Sequence, residues 1–147
     1  MHFNVTAHPT AAWSAQQIVE AFPWETAPRY LIRDRDKIYG LKYQYRVKGM
    51  GIEEVKIAPR SPWQNCFAER VIGSIRRECL DHMIIFNEIH LRRILRDYVA
   101  YYNKSRTHLS LNKQTPINTD DGEQKCGNIV AFSRVGGLHH HYERLAA

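Results

Sequence analysis

Asp34 and Glu69 are the residues whose type and setting point most directly to chemistry. Asp34 closes the apolar run Tyr30-Leu31-Ile32-Arg33, and Glu69 opens a basic amphipathic segment. Between them lies the turn-forming stretch Ala58-Pro59-Arg60-Ser61-Pro62-Trp63-Gln64-Asn65. Carboxylates at a strand end and in the first turn of a helix can converge on a divalent cation while nearby arginines hold phosphate oxygens. Gly73, one turn after Glu69, removes a side chain that would crowd the carboxylate. Arg70, Arg76 and Arg77 offer guanidinium groups for phosphate, extended by Arg92, Arg93, Arg96, Lys104 and Arg106. Trp63 has a ring that can stack on a base or sugar.

Each of these residues also has an ordinary use. Asp34 can be a solvated turn residue, a job Asp36 could do as well. Glu69 can stabilise the positive end of a helix dipole. The arginines can form an exposed face that pairs with Glu78 and Asp81, and Trp63 can fold onto a core. Cys66 has no histidine beside it in sequence and reads as a structural thiol. His139-His140-His141 reads as a polar tail, not as a metal site.

The elements that would position these groups follow from apolar spacing. Residues 2–6 alternate apolar and polar, which predicts a short strand. Ala15, Ile18, Val19 and Phe22 have helical spacing over about 12–22, with His8-Pro9-Thr10 as the helix start. Residues 30–33 predict a strand, 39–48 a helix ended by Gly49 and Gly51, and 52–58 another strand. Asn65 is the expected N-cap of the next helix. Phe67, Val71, Ile72, Ile75 and Cys79 form its apolar face, with Glu69, Arg70, Gly73, Arg76 and Arg77 on the opposite arc. A further helix runs from about 88 to 103, capped by Asn87, with Phe86 and Leu91 at staple positions. Its core stripe is Leu91, Leu95, Tyr98 and Tyr102. After Pro116 the polar, acidic residues 118–125 read as a linker, 128–134 as a short strand, and Gly136-Gly137 as a turn. This order is an α/β pattern.

A chain of 147 residues with 44% hydrophobic and 24% charged residues is expected to bury a true core. No apolar run has the length of a membrane span, and the start lacks a basic region followed by an apolar one, so a cytoplasmic, non-membrane protein is expected. The three cysteines, without C-x-x-C spacing, predict free thiols and neither a disulfide framework nor a zinc site. A net charge of +6 favours an anionic partner.

Taken together, these motifs resemble a known family. Arg33-Asp34-Arg35-Asp36, Tyr39-Gly40, the 58–65 loop, Ala68-Glu69-Arg70 and the run from Ile72 to His82 are similar to the catalytic core of insertion-sequence transposases and retroviral-type integrases, the DDE superfamily. Tyr101-Tyr102-Asn103 and Arg106-Thr107-His108 add to the resemblance, which covers roughly residues 1–117.

That resemblance implies a ribonuclease-H-like fold and a three-carboxylate site for two Mg²⁺ or Mn²⁺ ions. Asp34 matches the family's second aspartate and Glu69 its glutamate. Gln64 and Asn65 would belong to a mobile loop over the site. Trp63, Gln64, Asn65, Arg70, Gly73, Arg76 and Arg77 would contact DNA, both transposon ends and target. The family's first aspartate lies on a strand ahead of the one residues 2–6 resemble, and nothing here occupies that place. The expectation is an integrase core (1–117) lacking its first strand, followed by a linker and C-terminal tail (118–147). Such a core, truncated at its N-terminus, would descend from an enzyme of DNA integration and be silent in strand transfer by itself. The alternative is a non-catalytic module that binds DNA, or associates with itself or with full-length transposase.

Overall fold

The computed structural model describes residues 1–23, 26–117 and 126–145. The chain divides into two compact units, Met1–Ser74 and Ile75–Ala147, and the division falls inside a helix.

In the first unit, α1 (Ala11–Ala21) starts where Thr10 Oγ1 accepts the Trp13 amide at 3.2 Å. That bond satisfies one of the donors a helix leaves open at its N-terminus. β1 (Tyr30–Arg33) and β2 (Glu53–Lys56) pair in parallel, Tyr30 opposite Glu53 through Arg33 opposite Lys56. A parallel pair needs a crossover, supplied by α2 (Leu41–Gly49). α2 ends in a Schellman motif: the Ile52 amide donates to the Val47 carbonyl at 3.1 Å and the Gly51 amide to that of Lys48 at 3.0 Å. Gly51 takes the left-handed φ of +73° that this motif requires. Ile52, delivered inward by the turn, joins Ala15, Tyr43 and Val47 in the core, with Ile18, Leu31 and Tyr39 packed around them.

Residues 2–6 form no strand, contrary to the alternation. Side chains there take amides that a strand ladder would use: Val5 donates to Asn4 Oδ1 at 2.8 Å and His8 to Thr6 Oγ1 at 3.1 Å. Asn65 is not an N-cap either. Pro62 opens a 3-10 turn, Pro62–Asn65, that runs directly into α3 (Cys66–Glu78). Proline's fixed φ suits the first helical position, so winding begins at Pro62, four residues earlier than a cap at Asn65 would place it.

The second unit is built on α4 (Glu88–Lys104), capped as expected by Asn87, whose Oδ1 accepts the His90 amide at 2.8 Å. Phe86 does not act as a staple; it is 79% exposed and its ring stacks on His90 at 5.3 Å. The buried face of α4 is Ile94, Tyr98 and Tyr102, whereas Leu91 and Leu95 are only half-buried. The stripe is thus rotated from the one the spacing predicts.

β3 (Ile129–Arg134) and β4 (His139–Arg144) form an antiparallel hairpin, so the three histidines lie in a strand and not in a polar tail. Its corner, Val135-Gly136-Gly137, has φ of 52°, 63° and 93°. Val135 is buried, and its amide donates to Asp97 Oδ2 of α4 at 2.6 Å. The 118–125 stretch lies outside the described residues. No described helix is long and apolar enough to cross a membrane.

Candidate metal and phosphate site

A cleft of about 410 Å³ in the first unit is bounded by residues 2–4, α1, β1 and the start of α3. Asp34 and Glu69 both line it, together with Asn65, Arg33 and Tyr39. β1 carries Asp34 to its end, and the 3-10 turn sets the first turn of α3 so that Glu69 faces the same space. Both carboxylates are exposed, hence open to solvent and to a ligand.

Asp34 is held at three points. The Arg33 carbonyl before it accepts the Ile57 amide at 3.0 Å. Its own carbonyl accepts Arg33 Nη1 at 2.9 Å, and its Oδ1 accepts the Asp36 amide at 3.1 Å. Asp36 is engaged differently: its Oδ1 accepts the Ile38 amide at 3.0 Å, and it does not line the cleft. The two aspartates are therefore not interchangeable.

The loop before α3 is tied down by the residue expected to move with it. Gln64 Oε1 accepts the Ala58 amide at 2.7 Å, and Arg35 Nε donates to the Ile57 carbonyl at 3.0 Å. Trp63 is 69% exposed, so it does not fold onto the core. Arg70 stacks over the Phe67 ring at 5.6 Å. Gly73 lies half-buried within α3. The apolar face read for α3 is only partly used, since Phe67 is 74% and Ile72 58% exposed.

In the second unit, Arg76 reaches Asp81 at 3.6 Å with both side chains largely in solvent, a weak pair. Arg77 stays exposed while its carbonyl accepts His82 Nε2–H at 2.9 Å. Glu78 is not their partner. It receives Arg106 through Nε at 2.8 Å and Nη2 at 2.7 Å, and the Tyr98 hydroxyl at 2.9 Å. These bonds, those of Arg106 first, hold its carboxyl below the usual carboxylate range against partial burial.

Hard divalent cations take oxygen ligands, and Mg²⁺ in particular keeps several waters and binds through one or two carboxylates. Asp34 and Glu69 fit a cation of that kind. They do not make up a two-ion, three-carboxylate set: among the described residues no three His, Cys, Asp or Glu side chains gather in a group able to hold a metal.

Sequence reasoning missed Arg33, which is 6% exposed and lies among Tyr39, Tyr43 and Glu54. The signal was present, because strand alternation puts Arg33 on the same inward face as Leu31. Burial pushes the Tyr43 hydroxyl up to about 12, with Tyr39 and Glu54 adding to the shift and Arg33 opposing it.

Residues 50–116 match the integrase core domain family. The match takes in less than half of the chain; the family it points to has an α/β, ribonuclease-H-like fold, and its members typically use divalent metal. The chain is also similar to an uncharacterised 39.2 kDa protein of insertion element IS476 from Xanthomonas euvesicatoria, 31% identical over 85 residues. That alignment takes in 56% of this chain and 25% of the relative, so the chain spans about a quarter of the length of the curated relative it matches. No solved structure matches the chain significantly. The integrase core resemblance drawn from the motifs is thus borne out, and it is of the insertion-sequence kind.

Proposed function

We propose that this chain is an integrase-type DDE transposase core that acts on DNA by metal-dependent phosphoryl transfer, with residues 1–117 as the core. The observation that carries the reading is the shared cleft of Asp34 and Glu69. A divalent cation bound between them would supply a Lewis acid and a water or DNA 3′-hydroxyl of lowered pKa. The chain's own residues do the rest. Asp34 and Glu69 hold the cation, Asn65 and Trp63 border the strand to be cut, and Arg70 neutralises phosphate. Arg76 and Arg77, in the second unit, would be further phosphate contacts. DNA and, in the cytoplasm, other copies of the transposase are the partners.

Two carboxylates serve a cation less well than three, so the chain alone is silent in strand transfer; loss of one member of a catalytic unit commonly costs several orders of magnitude in rate. The test is donor cleavage and joining of transposon-end duplexes in Mg²⁺ or Mn²⁺. Asp34-dependent joining by the chain alone would overturn the silence. Absence of both cation binding at Asp34 and DNA binding would sink the assignment.

A second reading, a non-catalytic DNA-binding or transposase-associating module, draws on the exposed Arg70, Arg76 and Arg77 and on the lack of a third carboxylate beside Asp34 and Glu69 among the described residues. It expects DNA affinity that survives Glu69→Gln, falls steeply with salt, and drops when the three arginines become alanine.

A further inference from the structure

We propose that Arg33 is a positioning residue for the cation site, acting through the backbone of Asp34; the idea rests on the reading of Asp34 as a metal ligand. Arg33 is a cation buried under a cleft, and a buried ion pair is poor evidence of added stability, because apolar residues of similar volume often serve as well. What an apolar pair could not supply is directed hydrogen bonding. Arg33 Nε donates to Glu54 Oε2 at 2.7 Å and Nη2 lies 2.5 Å from the same oxygen. The Tyr39 and Tyr43 rings face the guanidinium at 5.1 and 5.8 Å. These contacts fix the guanidinium plane, and the remaining Nη1 is aimed at the Asp34 carbonyl at 2.9 Å.

Asp34 is the first residue beyond β1, where the strand ladder no longer holds the chain. The Arg33 bond extends that hold by one peptide, so the carboxylate leaves the backbone at a set angle into the cleft. Glu54 sits on β2, opposite Leu31, so the parallel register itself delivers the counter-ion. Partners that orient a metal ligand typically matter roughly 10- to 100-fold in metal affinity.

The experiment measures Mn²⁺ affinity of the whole chain by the loss of the free-ion electron paramagnetic resonance signal, with thermal unfolding of each variant alongside. The parent chain is expected to hold Mn²⁺ at a site that Asp34→Asn abolishes. Arg33→Met together with Glu54→Met removes both charges and keeps the volume filled. That double variant is expected to melt near the parent and to bind Mn²⁺ at least about tenfold more weakly. Glu54→Gln, which leaves the Nη1 bond to Asp34 in place, is expected to bind within about twofold of the parent, far less than the positioning effect. Parent-like Mn²⁺ affinity in the double variant would reduce Arg33 to a packing role and overturn the proposal. So would a loss in Glu54→Gln as large as that in the double variant. A parent chain without any Asp34-dependent Mn²⁺ site would instead remove the metal-ligand reading, and this inference with it.

Discussion

Replacing Arg106 by Met should both destabilise the chain and flatten its response to acid. Arg106 makes two hydrogen bonds to the Glu78 carboxylate, at 2.7 and 2.8 Å. Bonds to a charged partner contribute roughly 1.5–3 kcal/mol each. Both side chains are 27% exposed, so solvent screening lowers the sum, and about 2 kcal/mol is the expected loss. The pH dependence follows from the direction of the Glu78 shift. Its native pKa lies below the ordinary value of 4.5. The stabilisation is therefore complete above that ordinary value and disappears as pH falls through the lower native one. Urea unfolding followed by far-ultraviolet circular dichroism, at about pH 6 and again at about pH 3, reads both effects. In Arg106→Met the drop in stability between the two conditions should shrink, and combining it with Glu78→Gln should be less than additive. An equally steep acid loss in Arg106→Met would show that this pairing does not keep Glu78 ionised, and the reasoning would fail.

Three further outcomes are expected. Gly51→Ala meets open space but must adopt a φ of +73°, so it should cost about 1 kcal/mol in urea unfolding, all of it conformational. Asp97→Ala removes the acceptor of the 2.6 Å bond from the buried Val135 amide, and should cost roughly 1–3 kcal/mol, with faster hydrogen exchange in the 129–144 hairpin as its local signature. Cys79 is fully buried, and burial first, then Asp97, push its thiol up to about 11. Ellman's reagent at neutral pH should therefore label Cys66 and Cys126, which are exposed, and leave Cys79 until the chain unfolds.

How far the fold could be read from sequence differed from element to element, for physical reasons. β1, α1 and α4 carry local signals that fix where each element lies, a Thr or Asn cap or a run of β-formers, although tertiary packing decides which face of α4 is buried. Residues 2–6 have the right alternation, but a strand exists only when its amides find a neighbouring strand, and here some find nearby side chains. The histidine run was misread for the opposite reason. Its partner is β3, and His139 is anchored by stacking on Tyr101 at 4.4 Å and by donating to the Glu78 carbonyl at 2.8 Å. Those residues are 38 and 61 positions away, and no window of the sequence contains them. At the site, residue type and spacing singled out Asp34 and Glu69. The buried support beneath Asp34 stayed hidden, because a charged residue in a short strand reads by default as exposed.

The corner of the hairpin places a demand on the order of folding. Val135 is a β-branched residue in the left-handed region, which isolated chain avoids, and its amide is satisfied by a carboxylate 38 residues earlier, on α4. Little in the local sequence favours that bend before the helix has wound and turned Asp97 toward it. The C-terminal ribbon is thus a latecomer: substitutions within it should leave the rate of folding almost untouched and show their whole effect in how quickly the native state comes apart.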